Sequence, residues 1–180
     1  MLASHLALLR GINVGGKNKL PMTDLREMFV AVGCREVRTY IQSGNVIFQA
    51  DADVLASLPS AVAALIAERT GYRVPVVIRS AEQLAAVIHD NPVRAVGAAE
   101  ETLHVLFLAD RPSAAGIAAL DPDRCPPDAF VVQGQEIYLR LPNGMARTKL
   151  TNDYFDSRLS TVSTARNWRT VTTLLDLMKA

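Results

Sequence analysis

The chain has 180 residues, of which 49% are hydrophobic and 21% are charged, and its formal net charge is +1. This length is enough for one large domain or two small ones, and the composition is typical of a folded globular protein rather than a disordered chain. Because the net charge is close to zero, no global field attracts nucleic acid or an anionic membrane, and any basic site has to be local.

The cysteines and the N-terminal residues indicate a cellular location. Cys34 and Cys125 lie far apart, without the spacing of a metal or redox motif, which fits reduced thiols in a cytosol. The apolar run 6–9 ends at Arg10 and is too short for a signal-peptide core or a membrane span. We therefore predict a cytoplasmic protein with no membrane partner.

The N-terminal part of the chain predicts a strand, a helix and a hairpin. Residues 5–10 contain the short apolar run 6–9, as expected of a strand that is buried on both faces. After Pro21, apolar residues follow at i, i+3, i+4 and i+7, and Gly33 suits the end of a helix. β-rich runs then flank the segment 42–45, whose Ser, Gly and Asn residues favour a turn.

The following residues predict a second helix, a further strand and a short third helix. The second helix is predicted over about 54–70, with Pro59 either limiting its early part or marking its start. A strand follows over 73–79, and Ser80 and Gln83 have the spacing of a capping box. The order strand, helix, strand, strand, helix, strand predicts an antiparallel sheet with both helices on one face, the ferredoxin-like α/β plait.

The second half of the chain repeats this order in part. Residues 93–101 carry no clear periodicity and are predicted to be a connector. The run 104–108 then echoes the first strand. Further predictions are a helix around 113–120, a hairpin turning at 133–134, a helix about 149–156 and a final helix after Asn167.

This repetition indicates an internal duplication. We predict an α+β fold of two ferredoxin-like (α/β plait) halves, residues 1–92 and 102–180, with mainly antiparallel sheets and a C-terminal helix.

Three segments resemble a known family. They are the opening ALLRGINVGGKNKLPM, the hairpin RTYIQSGNVIF and the ending TARNWRTVTTLL, which are similar to the domain of unknown function 1697 family, a group of uncharacterised bacterial proteins. The resemblance spans nearly the whole chain and implies two plait-like halves, but it implies no activity. Where the family usually has a TTRN-type sequence, this chain has Thr164-Ala165-Arg166-Asn167, which keeps the arginine and the final asparagine.

The glycine/basic loop, residues 10–19, is the first candidate binding site. Its glycines let backbone N–H groups point into a cavity near a helix N-terminus, and its basic residues, Lys19 included, supply positive charge to a phosphate or carboxylate. The pattern is neither a Walker A loop nor a dinucleotide fingerprint, and the alternative is a surface loop whose glycines only satisfy backbone geometry. The predicted ligand-binding residues here are Arg10, Gly11, Asn13, Gly15, Gly16 and Lys17.

The turn 42–45 is a second candidate. Gln42, Ser43 and Asn45 carry side chains that can hydrogen-bond a polar ligand. Turn chemistry alone also explains these residue types.

A third candidate lies near the C-terminus, where Arg166 and Asn167 precede the last predicted helix. A cation at a helix N-terminus is unfavourable unless an anion is bound or paired nearby. We predict that one of the two arginines, Arg166 and Arg169, pairs with Asp153 or Asp156 and that the other contacts a ligand. Asn167 is most simply the cap of the helix.

A catalytic or metal site is not supported by the sequence. His5, His89 and His104 have no carboxylate or cysteine at ligand spacing, and no nucleophile elbow, HExxH or paired acidic motif occurs. His5 and His104 fall at strand starts, where a histidine is more often structural than catalytic. No metal and no cofactor is predicted, and whether the protein is an enzyme stays open.

Binding of a small anionic ligand, phosphorylated or nucleotide-like, through residues 10–19 is the function that the sequence favours. The alternative is RNA binding, because the RNA-recognition motif shares the plait. It ranks second because the segment 43–48 has one aromatic residue, whereas RNA binding of this kind uses several stacking platforms. A third hypothesis is an enzyme that acts on a phosphorylated substrate. The sequence indicates no oligomeric state.

Overall fold

The computed structural model describes residues 3–94 and 97–180. Within these ranges the elements are, in chain order, β1 (Ser4–Leu9), α1 (Met22–Ala31), β2 (Arg35–Tyr40), β3 (Asn45–Gln49), α2 (Ala52–Thr70), β4 (Val76–Ser80), α3 (Ala81–His89), a 3-10 helix (Glu100–Thr102), β5 (Leu103–Leu108), α4 (Ala114–Ala118), β6 (Ala129–Gln133), β7 (Glu136–Arg140), α5 (Asn152–Leu159), β8 (Ser163–Asn167) and α6 (Trp168–Lys179). Residues 95 and 96 of the predicted connector 93–101 lie outside the described residues.

The chain divides into two compact units. The first comprises the described residues up to Leu84 together with Leu174–Ala180, and the second runs from Ala85 to Thr173. Each unit contains one four-stranded antiparallel sheet. The predicted α+β class, with antiparallel sheets and a C-terminal helix, is confirmed.

In the first unit the strands lie in the order β2-β3-β1-β4, and every neighbouring pair is antiparallel. The central strand β1 is buried from Leu6 to Leu9, as its continuous apolar sequence predicts. β4 lies at an edge of the sheet and begins directly after Pro75, because proline has no N–H to donate to a neighbouring strand.

Helices α1 and α2 pack against one face of this sheet. α1 buries Leu25, Met28 and Phe29, the positions that its apolar spacing predicts. The ring of Phe29 lies 5.4 Å from that of Phe48 on β3. Burial of a side chain of this size contributes roughly 1.5–3 kcal/mol, so this apolar face holds the helix in place.

The prediction for Pro59 is wrong. α2 runs without interruption from Ala52 to Thr70, so Pro59 neither limits its early part nor marks its start. The proline costs one backbone hydrogen bond, but the buried side chains of Leu58 and Val62 on either side of it stabilise the helix. The helix ends at Gly71, whose φ of 76° is left-handed.

The second unit repeats this arrangement, with its strands in the order β6-β7-β5-β8. Leu106 and Ile137 of the sheet share an apolar cluster with Phe155 of α5. α5 begins later than predicted because Thr151 is its N-cap, and the Thr151 Oγ1 atom accepts a hydrogen bond of 3.2 Å from the Tyr154 N–H.

β8 was not predicted from the sequence. Arg166 and Asn167 were expected only to precede the last helix, whereas Ser163–Asn167 is an edge strand that pairs with β5. Its residues are small or polar and show no apolar alternation, so local pattern does not identify it. The strand is defined by its hydrogen bonds to β5 and by the burial of Ser163 and Thr164.

Two predicted helix caps are confirmed. In the capping box, the Ser80 N–H donates to Gln83 Oε1 at 2.8 Å, and the Gln83 N–H donates to Ser80 Oγ at 3.2 Å. At the start of α6, the Thr170 N–H donates to Asn167 Oδ1 at 2.8 Å. None of the described helices is both long and apolar enough to cross a membrane.

Candidate functional site

The glycine/basic loop is held in shape by its own asparagine side chains. Asn13 Oδ1 accepts from the Leu20 N–H at 2.9 Å, and Asn13 Nδ2 donates to the Leu20 carbonyl at 2.8 Å. Asn18 Nδ2 donates to the Gly11 carbonyl at 2.9 Å. Asn13 and Asn18 have left-handed φ angles of 53° and 48°, which asparagine tolerates better than most residues. The structure of the loop therefore explains why asparagine occurs at these two positions.

The loop glycines are required by the backbone. Gly11, Gly15 and Gly16 have φ angles of 72°, 57° and 75°, and a Cβ atom at any of them would meet nothing within 4 Å. Their role is thus conformational and does not come from a close approach to neighbouring atoms. Gly15 and Gly16 are exposed.

The loop and the turn 42–45, which the sequence predicts separately, form one surface of the first unit. Asn13 Nδ2 donates to the Gln42 carbonyl at 2.9 Å, and the Leu9 N–H donates to the Gly44 carbonyl at 2.8 Å. A Cβ atom on Gly44 would lie 2.7 Å from Leu9 Cβ and 2.9 Å from Ile12 Cδ1. Only glycine therefore lets the turn pack this closely on the loop.

An open groove of about 400 Å³ lies on this surface, and we call it the loop–turn groove. Its lining residues are Asn13, Gly16, Lys19, Leu20, Pro21 and Gln42. Three of them, Asn13, Gly16 and Gln42, are predicted ligand-binding residues. The sequence analysis assigned Lys19 only a charge and missed Leu20 and Pro21, which follow the loop at the start of α1.

The other predicted residues of the loop and the turn are not among those that line the groove. Arg10 is half-buried, and its N–H donates to the Pro75 carbonyl at 3.1 Å. Lys17 is exposed. Asn45 is buried, and its Nδ2 atom donates to the Tyr40 carbonyl at 3.1 Å and to Ser43 Oγ at 3.3 Å. Asn45 thus holds the turn from inside.

Arg166 and Asn167 belong to the second unit. Arg166 is 8% exposed, and its Nη1 atom donates to Thr164 Oγ1 at 2.8 Å and to the Ala165 carbonyl at 2.7 Å. Burial lowers the pKa of the Arg166 guanidinium to about 10, because desolvation disfavours the charged form. Its predicted pairing with Asp153 or Asp156 stays a prediction.

A larger cavity of about 520 Å³ lies in the second unit at the start of α6, and we call it the α6 cavity. Its lining residues are Glu100, Glu101, His104, Asn167, Trp168, Arg169 and Thr172. His104 of β5 lies opposite Asn167 of β8 in the sheet. This cavity could not be predicted from the sequence, because the pairing of β5 with β8 brings His104 and Asn167 of its lining together.

Burial lowers the pKa of His104 below its usual value, and a weak hydrogen bond of 3.4 Å from its Nδ1 to the Thr102 carbonyl opposes this effect. His104 is therefore neutral at pH 7. Among residues 3–94 and 97–180, no group of three or more His, Cys, Asp or Glu side chains is arranged to hold a metal ion.

Comparisons with known proteins identify the family. The profile of the family described as protein of unknown function (DUF1697) matches residues 2–138. Since this is more than half of the chain, the chain belongs to that family, and the resemblance seen in its sequence is confirmed. No match was found among curated proteins.

Among solved structures, the chain is similar to the conserved bacterial protein SP0830 from Streptococcus pneumoniae. The sequence identity is 22%, the TM-score is 0.76, and the match covers 100% of both chains. At this identity the likeness shows a shared fold and carries no function.

Proposed function

We propose that this member of the DUF1697 family binds a small anionic ligand, carrying phosphate or carboxylate, in the loop–turn groove of its first unit. The observation that carries the proposal is that the exposed Lys19 lines the same groove as Gly16 and Gln42. An ammonium group, an exposed backbone and a side-chain amide together suit an oxyanion, which accepts hydrogen bonds from all three.

The local charge favours the same ligand class. No aspartate or glutamate occurs in the segments that contain the loop and the turn, residues 10–23 and 37–50. The net charge of the whole chain is only +1, so this positive region is local. Its field is screened over roughly 8–10 Å at ordinary salt. It therefore suits a small anion better than a long polyanion.

The fixed shape of the loop supports binding as well. Hydrogen bonds from Asn13 and Asn18 hold the backbone before any ligand arrives. A preformed site loses less conformational entropy when it binds than a flexible loop does. The loop is therefore a preformed edge of the groove and not a disordered segment that closes over it.

RNA binding remains the alternative, but the described residues give it little support. Phe48, the aromatic residue of the segment 43–48, is fully buried and packs against Phe29. A base cannot stack on a ring in that position, and stacking contributes roughly 1–3 kcal/mol per base. An enzyme that acts on a phosphorylated substrate is the third hypothesis, and it would use the same groove.

We also propose that each unit is a ferredoxin-like plait. The strand orders β2-β3-β1-β4 and β6-β7-β5-β8 are those of two joined strand-helix-strand units. A cytoplasmic location is part of the proposal, since Cys34 and Cys125 are both free thiols.

The test is an NMR titration of the 15N-labelled protein with inorganic phosphate, pyrophosphate and a nucleoside triphosphate. We expect saturable shifts in the backbone amides of Gly15, Gly16 and Gln42 for at least one probe. Lys17→Gln and Lys19→Gln should each weaken that binding about tenfold, which corresponds to about 1.4 kcal/mol. Binding should also weaken as salt rises.

Lys149→Gln and Lys179→Gln are the matched controls, because both lysines are exposed and lie outside residues 10–19. They should change the affinity less than twofold. Absence of any saturable shift in the groove, or an equal loss in the control variants, would refute the proposed function.

A further inference from the structure

The α6 cavity is a second site of different character, and the proposed function does not use it. All seven of its lining residues belong to the second unit. At about 520 Å³ it falls within the range of roughly 300–1,000 Å³ that is typical of small-molecule sites. Its lining combines carboxylates, a guanidinium, an imidazole and an indole.

The cavity lining carries both signs of charge, in two carboxylates and one guanidinium. Within the described residues, the side chains of Glu101 and Arg169 have no ion-pair partner, whereas Glu100 lies 3.8 Å from Arg94, which is outside the lining. One carboxylate and one guanidinium of the lining are therefore left to contact a ligand. This pattern fits a ligand that carries both signs better than a simple anion or a simple cation.

The position of Arg169 adds an argument for a bound carboxylate. Arg169 is the second residue of α6, where the positive end of the helix dipole disfavours a cation and favours an anion. A carboxylate bound between the guanidinium and the helix start interacts favourably with both. Asn167 Oδ1 already caps the helix through Thr170, and its Nδ2 group remains as a further donor.

The uncharged part of the lining consists of the partly exposed His104 and the buried Trp168. Trp168 is 1% exposed, and within the described ranges its Nε1 atom has no hydrogen-bond partner. His104 is half-buried and neutral at pH 7, because its burial lowers its pKa.

We propose that the α6 cavity binds a small zwitterion, an α-amino acid or a closely related molecule. Arg169 contacts its carboxylate, and Glu101 contacts its ammonium group. The buried indole of Trp168 belongs to the lining and reports on binding without offering its ring face to the ligand.

The experiment uses the intact protein and its single tryptophan. Emission of Trp168 and its indole N–H resonance are followed during titration with each L-amino acid except tryptophan and tyrosine, whose own emission interferes. The matched probes for any amino acid that binds are its N-acetyl derivative, which lacks the ammonium group, and its methyl ester, which lacks the carboxylate.

We expect a saturable response to at least one amino acid, and at least tenfold weaker binding of both blocked derivatives. Arg169→Gln and Glu101→Gln should each weaken binding at least tenfold. Both side chains are exposed, so an unchanged melting temperature will show that these variants fold. Arg111→Gln and Asp123→Asn, at exposed positions outside the cavity, should change the affinity less than twofold.

No saturable response of Trp168 to any amino acid, or equal binding of the blocked derivatives, overturns the proposal. The result is separate from phosphate binding in the first unit. Lys17→Gln and Lys19→Gln should leave the amino-acid affinity unchanged, and Arg169→Gln should leave the phosphate affinity unchanged.

Discussion

Arg79 and Arg166 occupy equivalent positions in the two units. Arg79 lies opposite Leu6 in the pairing of β4 with β1, and Arg166 lies opposite Val105 in the pairing of β8 with β5. Both are buried, at 3% and 8% exposure, and each donates from Nη1 to the carbonyl of the preceding residue. The repeated strand order of the two units is therefore accompanied by a repeated buried arginine.

The residues that follow these arginines are equivalent too. Ser80 and Asn167 each end a strand and cap the next helix, and they lie opposite His5 and His104. The strand-to-helix connection of the first unit is thus repeated in the second, with a different capping residue.

Replacing either buried arginine by lysine should destabilise the protein. Lysine keeps the charge but lacks the planar fork with which Arg166 reaches both Thr164 Oγ1 and the Ala165 carbonyl. We expect Arg79→Lys and Arg166→Lys each to lower the free energy of unfolding by about 1.5–3 kcal/mol in urea denaturation. The exposed Arg111→Lys is the control, with a change within about 0.5 kcal/mol. A similarly small change at both buried positions would contradict the prediction.

Gly44→Ala should be much more costly than Gly71→Ala. Both glycines have a φ of 76°, so both substitutions cost about 1–2 kcal/mol for a left-handed alanine. Only at Gly44 does the new Cβ collide with Leu9 and Ile12, which adds about 1–3 kcal/mol. Chemical denaturation of the two variants measures the difference, and equal losses would show that the turn can move away from the loop.

Asn13→Ala should destabilise the protein more than Asn18→Ala. Both residues are left-handed, so the backbone effect is matched. The side chain of Asn13 makes hydrogen bonds to Leu20 and Gln42, whereas that of Asn18 makes one to Gly11. At about 0.5–1.5 kcal/mol per hydrogen bond, we expect the free energy of unfolding to fall by about 2–3 kcal/mol in Asn13→Ala and by about 1 kcal/mol in Asn18→Ala. Thermal unfolding with the order reversed would refute this account of the loop.

Cys34 should resist thiol reagents while Cys125 reacts. Cys34 is buried, and desolvation raises the pKa of its thiol from 9.0 to about 11, so its thiolate fraction at pH 8 falls about a hundredfold. Labelling of native protein at pH 8 should therefore modify Cys125, which is only partly buried. In the Cys125→Ser variant, Cys34 should react at least a hundredfold more slowly in the native protein than in the unfolded chain. Fast labelling of Cys34 would contradict its burial.

The same thiol predicts the direction of a pH effect. The folded-state pKa of Cys34 is raised, so its contribution to the free energy of unfolding is fully present below pH 9. The contribution falls as the pH rises from 9 to about 11, because the unfolded chain ionises first. Urea denaturation should show that the difference in free energy of unfolding between wild type and Cys34→Ala is smaller at pH 10.5 than at pH 8. An equal difference at the two pH values would contradict the prediction.

Features that depend on neighbouring residues could be predicted from the sequence. The apolar spacing of Leu25, Met28 and Phe29 fixes the buried face of α1, and Ser80 with Gln83 fixes the start of α3. Such patterns act within one or two turns of a helix, so they are visible in a short window of sequence.

Features that depend on residues far apart in the chain became visible in the three-dimensional fold alone. β8 is polar and becomes a strand through pairing with β5, about 60 positions earlier in the chain. That pairing buries Arg166 and places Asn167 opposite His104, which creates the α6 cavity. Likewise, a hydrogen bond from Asn13 Nδ2 to the Gln42 carbonyl joins the glycine/basic loop to the turn 42–45. Strand pairing and packing bring such residues together without leaving a local pattern, because the partners are far apart in sequence.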